Sequence, residues 1–328
     1  MVRSDSEESL LSFKSEVTLQ VLILAAGKGT RMRSQTPKVL FEIAGYPMLY
    51  HVIKVFKGMD GIRKVNVLTG YRSDMVREKI KDFYDDIDFY LQEKQLGTGH
   101  AVRCFLDGKK TETTDILIAC GDTPLLESDE LKRFMDFHGE NNNVLSVMSM
   151  IAQKPFGYGR IIRKEDTPVE IVEEKDADES QRKINEVNSG IYIIKESFLR
   201  ESVELLDSDN SQGEFYLTDL VKICHKKKLA SGIFTGDMKN LEGINDIKAL
   251  SVARKEIHRR INEQYMHSGV DIYDPDSTFI DPGVEIGSDV RILPFTVIKK
   301  GSHIPSGSLV EPFSEIGPGK IKNHFRGD

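Results

Sequence analysis

The stretch LAAGKGTRMRSQTPKVL, Leu24 to Leu40, follows an apolar run and packs two glycines and four cations into seventeen residues. Glycines let backbone N–H groups approach a phosphate, and fixed cations offset charge that builds during phosphoryl-type transfer. Two well-known phosphate loops are excluded by spacing. A P-loop requires G-x-x-x-x-G-K-[ST], yet Lys28 is followed by Gly29 and Gly27 has no glycine five places earlier. A dinucleotide fingerprint requires a third glycine where this chain has Met32. What remains is a strand ending in Leu24, Ala25, Ala26 and Gly27, a tight turn through Gly29, and two cations, Arg31 and Lys38, with Pro37 stiffening the approach to the second. These residues suit a nucleotide site.

A second set of candidates is spread along the chain. Asp122 follows Gly121 at the end of DILIACGD, so its carboxylate is expected at the edge of a sheet, where an aspartate also serves as a helix N-cap. Gln92, in LQEKQLGTGHA, offers an amide donor and acceptor to a pyrimidine edge, with Gly97 and Thr98 bringing backbone close; by residue type alone it is an exposed strand-end residue. The charge run from Glu173 to Lys183 reads as a solvated hairpin face, and His225 to Lys228 as a solvated helix end. His100 has no neighbour that makes it an acid or base. A phosphate monoester is already ionised near neutral pH, so transfer to its oxygen needs no strong general base.

These residues need a scaffold, and the pattern supplies one. Apolar runs (LQVLILAA, KVNVLTG, IDFYLQ, DILIACGD, NVLSVMSM) alternate with amphipathic segments such as MLYHVIKVFKG and DELKRFMDFHG. Such alternation predicts an α/β fold with a mainly parallel sheet and ligands at the carboxyl ends of its strands. From Tyr158 the pieces GRIIRKEDTPVEIVEEKD and EVNSGIYIIK read as hairpins, an antiparallel lobe beside the sheet with the role of a lid. The segment 246–269 reads as a connecting helix closed by Gly269. Beyond it Ile280, Ile286, Ile292, Ile298, Ile304, Val310 and Ile316 recur every sixth residue, with small residues (Val284, Val290, Thr296, Ser302, Ser308, Ser314) four places after the first six. That period is the mark of a parallel β-helix with three hexads per coil. The expected organisation is a flexible extension (1–16), a catalytic domain (17–245), the connecting helix (246–269) and a short β-helix with tail (270–328).

Composition narrows the function classes. A net charge of −7 across 328 residues argues against a broad nucleic-acid or anionic-lipid face. Three cysteines without CxxC spacing argue against a disulfide framework and a zinc site, and imply a reducing compartment. Without a long apolar stretch the chain is expected to be cytoplasmic.

The glycine loop resembles the signature of sugar-phosphate nucleotidyltransferases. LQEKQLGTGHA, CGDTPLL, GYGRI, IVEEKDA, EVNSGIYI, QGEFYLTD and LEGIND extend the likeness in order. Together they resemble the uridylyltransferase half of the bifunctional GlmU-type N-acetylglucosamine-1-phosphate uridylyltransferases. The resemblance implies a Rossmann-like nucleotidyltransferase fold with a mixed, mainly parallel sheet and a short C-terminal left-handed β-helix. It implies that UTP and N-acetylglucosamine 1-phosphate give UDP-N-acetylglucosamine and pyrophosphate, with Arg31 and Lys38 catalytic. Asp122 and Asn245 are implied as Mg²⁺ ligands, although Asn245 alone reads as a helix cap. Leu24, Ala25, Ala26, Gly27, Gln92, Gly97, Thr98 and Gly121 are implied in nucleotide binding, and Gly159, Glu173, Asn188, Tyr216 and Thr218 in sugar binding. A homotrimer built through the β-helix is implied as well. His303 and His324 stand in no acetyltransferase-like motif, so no acetyl transfer is expected. Two other readings stay open: a nucleotidyltransferase for another hexose or hexosamine 1-phosphate, and a non-catalytic pyrophosphorylase-like subunit.

Overall fold

The computed structural model describes residues 19–109, 115–165 and 167–323; the expected N-terminal extension and His324 lie outside the described residues. Among the described residues the first element is β1 (Leu19–Ala25), followed by a tight hairpin, β2 (Glu42–Ile43) and β3 (Tyr46–Pro47), and by α1 (Met48–Lys57). Then come β4 (Ile62–Thr69), α2 (Ser73–Lys81), β5 (Asp88–Leu91), α3 (Thr98–Gly108), β6 (Asp115–Cys120), α4 (Ser128–Glu140) and β7 (Leu145–Ile151). The hairpin β8 (Arg160–Lys164) and β9 (Thr167–Val172) leads to β10 (Glu186–Lys195), α5 (Glu196–Val203), α6 (Asp219–Lys226) and β11 (Ser231–Gly236). Two further helices, α7 (Met238–Leu241) and α8 (Ile247–His267), complete this part.

One sheet carries the lobe, in the order β11-β7-β10-β6-β1-β4-β5, with β8 and β9 joined at the start of β10. β6, β1, β4 and β5 run parallel, as do β7 and β11. β1 is apolar apart from the buried Gln20 because both its faces are covered. Leu19, Val21 and Ile23 meet Leu49, Val52 and Phe56 of α1, while Leu22 meets Val102 and Phe105 of α3. The loops after β1 and β6 therefore emerge side by side.

EVNSGIYIIK does not belong to a lobe beside the sheet. As β10 it lies inside the sheet, antiparallel to both β6 and β7. Ile191, Ile193 and Ile194 are fully buried there, which its apolar run requires. Only its first residues reach the β8–β9 hairpin, through Val187 and Arg160.

α8 bridges two cores. Its first half buries Leu250, Ala253 and Ile257 among Met32, Ile43, Met48, Leu125 and Ile244, and its last turns set Ile261, Tyr265 and Met266 on the aliphatic residues of the hexads. There β12 (Asp271–Ile272), β13 (Phe279–Ile280), β14 (Glu285–Ile286), β15 (Arg291–Ile292), β16 (Val297–Ile298), β17 (His303–Ile304) and β18 (Leu309–Val310) pair in parallel between coils. β19 (Ser314–Gly317) continues the stack, and β20 (Lys320–Asn323) folds back on it antiparallel. Ile280, Ile298 and Ile304 are at most 3% exposed, and Thr296 and Ser302 fill the narrow inner positions between the aliphatic ones. The hexad periodicity is thus a β-helix.

The solenoid also touches the lobe directly. Lys300 donates from Nζ to the Gly45 carbonyl (3.2 Å) and sits 4.6 Å over the Tyr46 ring. Asp281 accepts from the Lys300 backbone N–H (3.2 Å), and its carboxylate lies 2.8 Å from where a Cβ on Gly45 would stand. From α8, Arg254 donates to the Glu42 carbonyl (2.9 Å). The β2–β3 hairpin is held from two sides. Among the described residues no helix is long and apolar enough to cross a membrane.

Candidate functional site

After β1 the chain turns through Gly29, whose φ of +61° is left-handed. A side chain there would also stand 2.6 Å from Lys38 Cβ, so glycine is required for the close approach of the second cation. Arg31 lies on a 3₁₀ turn (Thr30–Met32) anchored by buried Met32, and Lys38 opens a second (Lys38–Leu40) after Pro37. A Cβ on Gly27 would meet nothing within 4 Å. The strand end therefore faces open space.

Four predicted residues converge here. Lys38 Nζ forms an ion pair with Asp122 and donates to Asn245 Oδ1 (3.1 Å), and Arg31 donates to the same oxygen (2.8 Å). Asp122 is held by its backbone, whose carbonyl accepts from Ile244 N–H (2.8 Å), and Gly121 N–H reaches the Leu24 carbonyl (2.9 Å). Neither Asp122 nor Asn245 caps a helix. Asp246 is the cap of α8, accepting from Ala249 N–H (2.8 Å), and Glu127 stands at the N-cap of α4 without a capping side-chain bond. The oxygens of Asp122 and Asn245 are free of that local duty and meet on one cationic group.

The residues expected around a base occupy the next loop. Gln92 is 3% exposed, so it is not a surface strand end; its amide donates to the Gly97 carbonyl (3.0 Å) and lies 3.0 Å from His100 Nδ1. Gly97 has φ +103°, and a Cβ there would be 2.5 Å from the Phe215 carbonyl. Thr98 Oγ1 accepts from Leu217 N–H (3.0 Å). This loop is stitched to the segment that carries Tyr216 and Thr218.

The sugar candidates form a second cluster. Thr218 donates to Glu173 Oε1 (3.1 Å), and Asn188 N–H donates to the Gly159 carbonyl (2.9 Å). A Cβ on Gly159 would meet Glu173 oxygens at 3.4 Å, so Gly159, Glu173, Asn188 and Thr218 surround one spot. Burial raises the Glu173 carboxyl above its usual range, and the Thr218 hydrogen bond opposes the shift. Tyr216 is turned elsewhere, its hydroxyl donating to Asp176 (3.2 Å) and accepting from Gln212 (2.9 Å).

Three further residues at these clusters were not read from the sequence. Tyr158 is pushed up to about 12 by burial and by the carboxylates of Glu242 and Asp122, which places its phenol beside the first cluster. Tyr192 is raised by burial, with Glu173 and Asn188 as its polar neighbours. Arg160, 1% exposed, pairs with Glu174 (2.7 Å), which also accepts from Gly157 N–H (3.0 Å) and so fixes the turn before Gly159. GYGRI could have pointed to Arg160, since an arginine inside a strand pattern needs a partner.

Residues 20–244 match the family described as nucleotidyl transferase. Among curated proteins the chain is similar to the bifunctional protein GlmU of Fervidobacterium nodosum, 42% identical over 308 residues, which cover 94% of this chain and 66% of that protein. Against the bifunctional protein GlmU of Clostridioides difficile it is 42% identical over 315 residues, 94% of this chain and 68% of that one. The chain spans about two thirds of the length of these relatives. Among solved structures, the inositol-1-phosphate CTP transferase from T. maritima superposes with a TM-score of 0.56 at 15% identity, over 72% of this chain and 93% of that one. HddC from Yersinia pseudotuberculosis gives 0.54 at 19% identity, over 73% and 99%. These last two show a shared fold, whereas the family match and the curated relatives establish kinship: the chain belongs to the nucleotidyl transferase family, on the branch of the bifunctional GlmU proteins.

Proposed function

We propose that the chain transfers a uridylyl group from UTP to N-acetylglucosamine 1-phosphate, giving UDP-N-acetylglucosamine and pyrophosphate. One observation carries the reading: Arg31, Lys38, Asp122 and Asn245 meet at the carboxyl ends of β1 and β6, with the Glu173 cluster supplying hydroxyl acceptors nearby. Likeness to the GlmU proteins over 94% of the chain supports the choice of base and sugar.

The residues present fit Mg²⁺. Asp122 and Asn245 are hard oxygen donors whose oxygens already share one cationic group, the Lys38 ammonium. Among the described residues no cluster of three or more His, Cys, Asp or Glu could hold a metal, and Mg²⁺ needs none, since it takes few protein oxygens and completes its shell with water and phosphate. When bound, the ion would neutralise charge on the phosphate oxygens.

The remaining work falls to positioning and electrostatics. Leu24 to Gly27 and Gly121 flank the nucleotide, with Gln92, Gly97 and Thr98 at the uracil edge. Gly159, Glu173, Asn188 and Thr218 orient the sugar, and Tyr216 holds the wall behind them through Asp176. The sugar-phosphate oxygen attacks the α-phosphorus in line as pyrophosphate leaves, and Arg31 and Lys38 offset the growing charge. A homotrimer through the β-helix belongs to the same reading, supported by the exposed Phe295 and Phe313 rings, stacked 4.9 Å apart on the solenoid. So does a reducing, cytoplasmic setting, supported by free thiols at Cys104, Cys120 and Cys224.

The deciding assay supplies purified protein with Mg²⁺, each of four NTPs and a panel of sugar 1-phosphates, and follows pyrophosphate. UTP with N-acetylglucosamine 1-phosphate should be the best pair. A better rate with another hexose 1-phosphate would move the substrate, and no turnover with any pair would make the chain a non-catalytic relative.

A further inference from the structure

We propose that Arg260 is the positioning residue that sets the spacing between Asp122 and Asn245, and through it the hold of the chain on a divalent cation; the inference rests on reading those two as metal ligands. Asp122 lies on the segment between β6 and α4, and Asn245 on the segment between α7 and α8, so their separation depends on how those segments are joined as well as on the Lys38 bridge between the two side chains. One meeting point is the backbone bond from Ile244 to Asp122. Leu125 and Ile244 also share a buried core, and the polar join is the guanidinium of Arg260.

Arg260 lies on α8, whose N-cap Asp246 directly follows Asn245, and uses all three of its nitrogens. Nη1 donates to the Leu125 carbonyl (2.9 Å), three residues after Asp122, and lies 3.2 Å from Glu127 at the N-cap of α4. Nη2 donates to Asn240 Oδ1 (2.8 Å) in α7, and Nε to Glu256 on its own helix (2.9 Å). Asn240, 7% exposed, passes the connection on to Glu127 and Glu130, each at 3.2 Å. Glu130, 3% exposed, in turn accepts from Asp237 N–H ahead of α7. One planar fork thus ties together the three pieces of chain that carry or flank the two oxygens. A lysine could not replace it, because an ammonium is a point charge without the fork's fixed directions. The partners of the Arg260 guanidinium are Leu125, Glu127, Asn240 and Glu256, none of them a member of the cluster, so Arg260 acts through the segments that carry Asp122 and Asn245.

The test is calorimetric titration of UTP, with Mn²⁺ and in EDTA, into wild type, Asp122→Ala, Arg260→Lys and Arg260→Gln, with melting temperature confirming folding. In wild type Mn²⁺ should tighten UTP binding, and Asp122→Ala should abolish the gain. Both Arg260 variants should lose about tenfold of it, the scale of removing a group that orients a metal ligand, with UTP affinity in EDTA unchanged. A full Mn²⁺ gain in the Arg260 variants would overturn the inference, and so would an equal loss in EDTA, which would mark a general structural role. Absence of any Mn²⁺ gain in wild type, or its survival in Asp122→Ala, would instead overturn the metal-ligand reading beneath it.

Discussion

The Lys38 ammonium is shared between the Asp122 carboxylate and the Asn245 amide oxygen, and Arg31 donates to that same amide oxygen. Substrate phosphates would bring both cations new acceptors. Lys38 should therefore act on charge that develops in the transition state. At ~4 Å and an effective dielectric of about 20 a unit pair is worth roughly 4 kcal/mol, so Lys38→Ala should lower kcat on the order of 10² to 10³ fold. Steady-state kinetics checks it, and a change confined to KM would assign Lys38 to ground-state binding alone.

Asp122→Ala should abolish turnover and leave the fold intact. The contact that ties Asp122 to Ile244 uses its backbone carbonyl, which alanine retains. Circular dichroism and melting should match the wild type while pyrophosphate release disappears. Turnover at the wild-type rate would remove Asp122 from the chemistry.

Two glycines of the site should differ in what their substitution does to stability. Gly27→Ala adds a methyl where no protein atom lies within 4 Å, so the melting temperature should hold while KM for UTP rises. Gly97→Ala forces a φ of +103° and a 2.5 Å approach to the Phe215 carbonyl, so it should lower the melting temperature and raise KM for both substrates. The two melting curves with paired KM values check this. Identical behaviour of the two variants would contradict the geometry.

Glu173 should link pH to both stability and affinity. Because burial raises its folded pKa, the ionised form opposes folding, and the stability it contributes at low pH is lost as pH rises through that pKa. Glu173→Gln should therefore melt higher than wild type at neutral pH, with the gap closing in acid, although its sugar-phosphate KM is worse. In the wild type that KM should rise as pH falls and the carboxylate protonates. Thr218→Val removes the hydrogen bond that opposes the shift and should move this limb to higher pH. Parallel melting curves for wild type and Glu173→Gln across the range would refute the account.

What could be read in the sequence is what short-range pattern encodes. Strand ends and turns announce themselves through apolar runs followed by Gly27, Gly29 and Gly121, and the solenoid through its period of six. Gln92 and Asn245 carry no such signal: by type each looked like a surface or capping residue, and the likeness of whole motifs selected them. The place of β10 was not legible, because a run such as IYII is equally apolar at an edge or between two strands. Nor were Tyr158, Tyr192 and Arg260, whose partners come from distant segments.

The grip of Lys300 and Asp281 on Gly45 has a thermodynamic side. Gly45 lies in the hairpin that follows Lys38, so whatever steadies the nucleotide loop also steadies the seat on which the first coils rest. Coupling through such a contact is reciprocal: a nucleotide that tightens the loop should protect the coils, and a disturbed coil should weaken nucleotide binding by the same factor. Hydrogen exchange at 279–304 should slow when UTP is added, and Lys300→Ala should cancel that slowing while the protection of 24–40 persists. With that result the solenoid would serve as a distant gauge of occupancy.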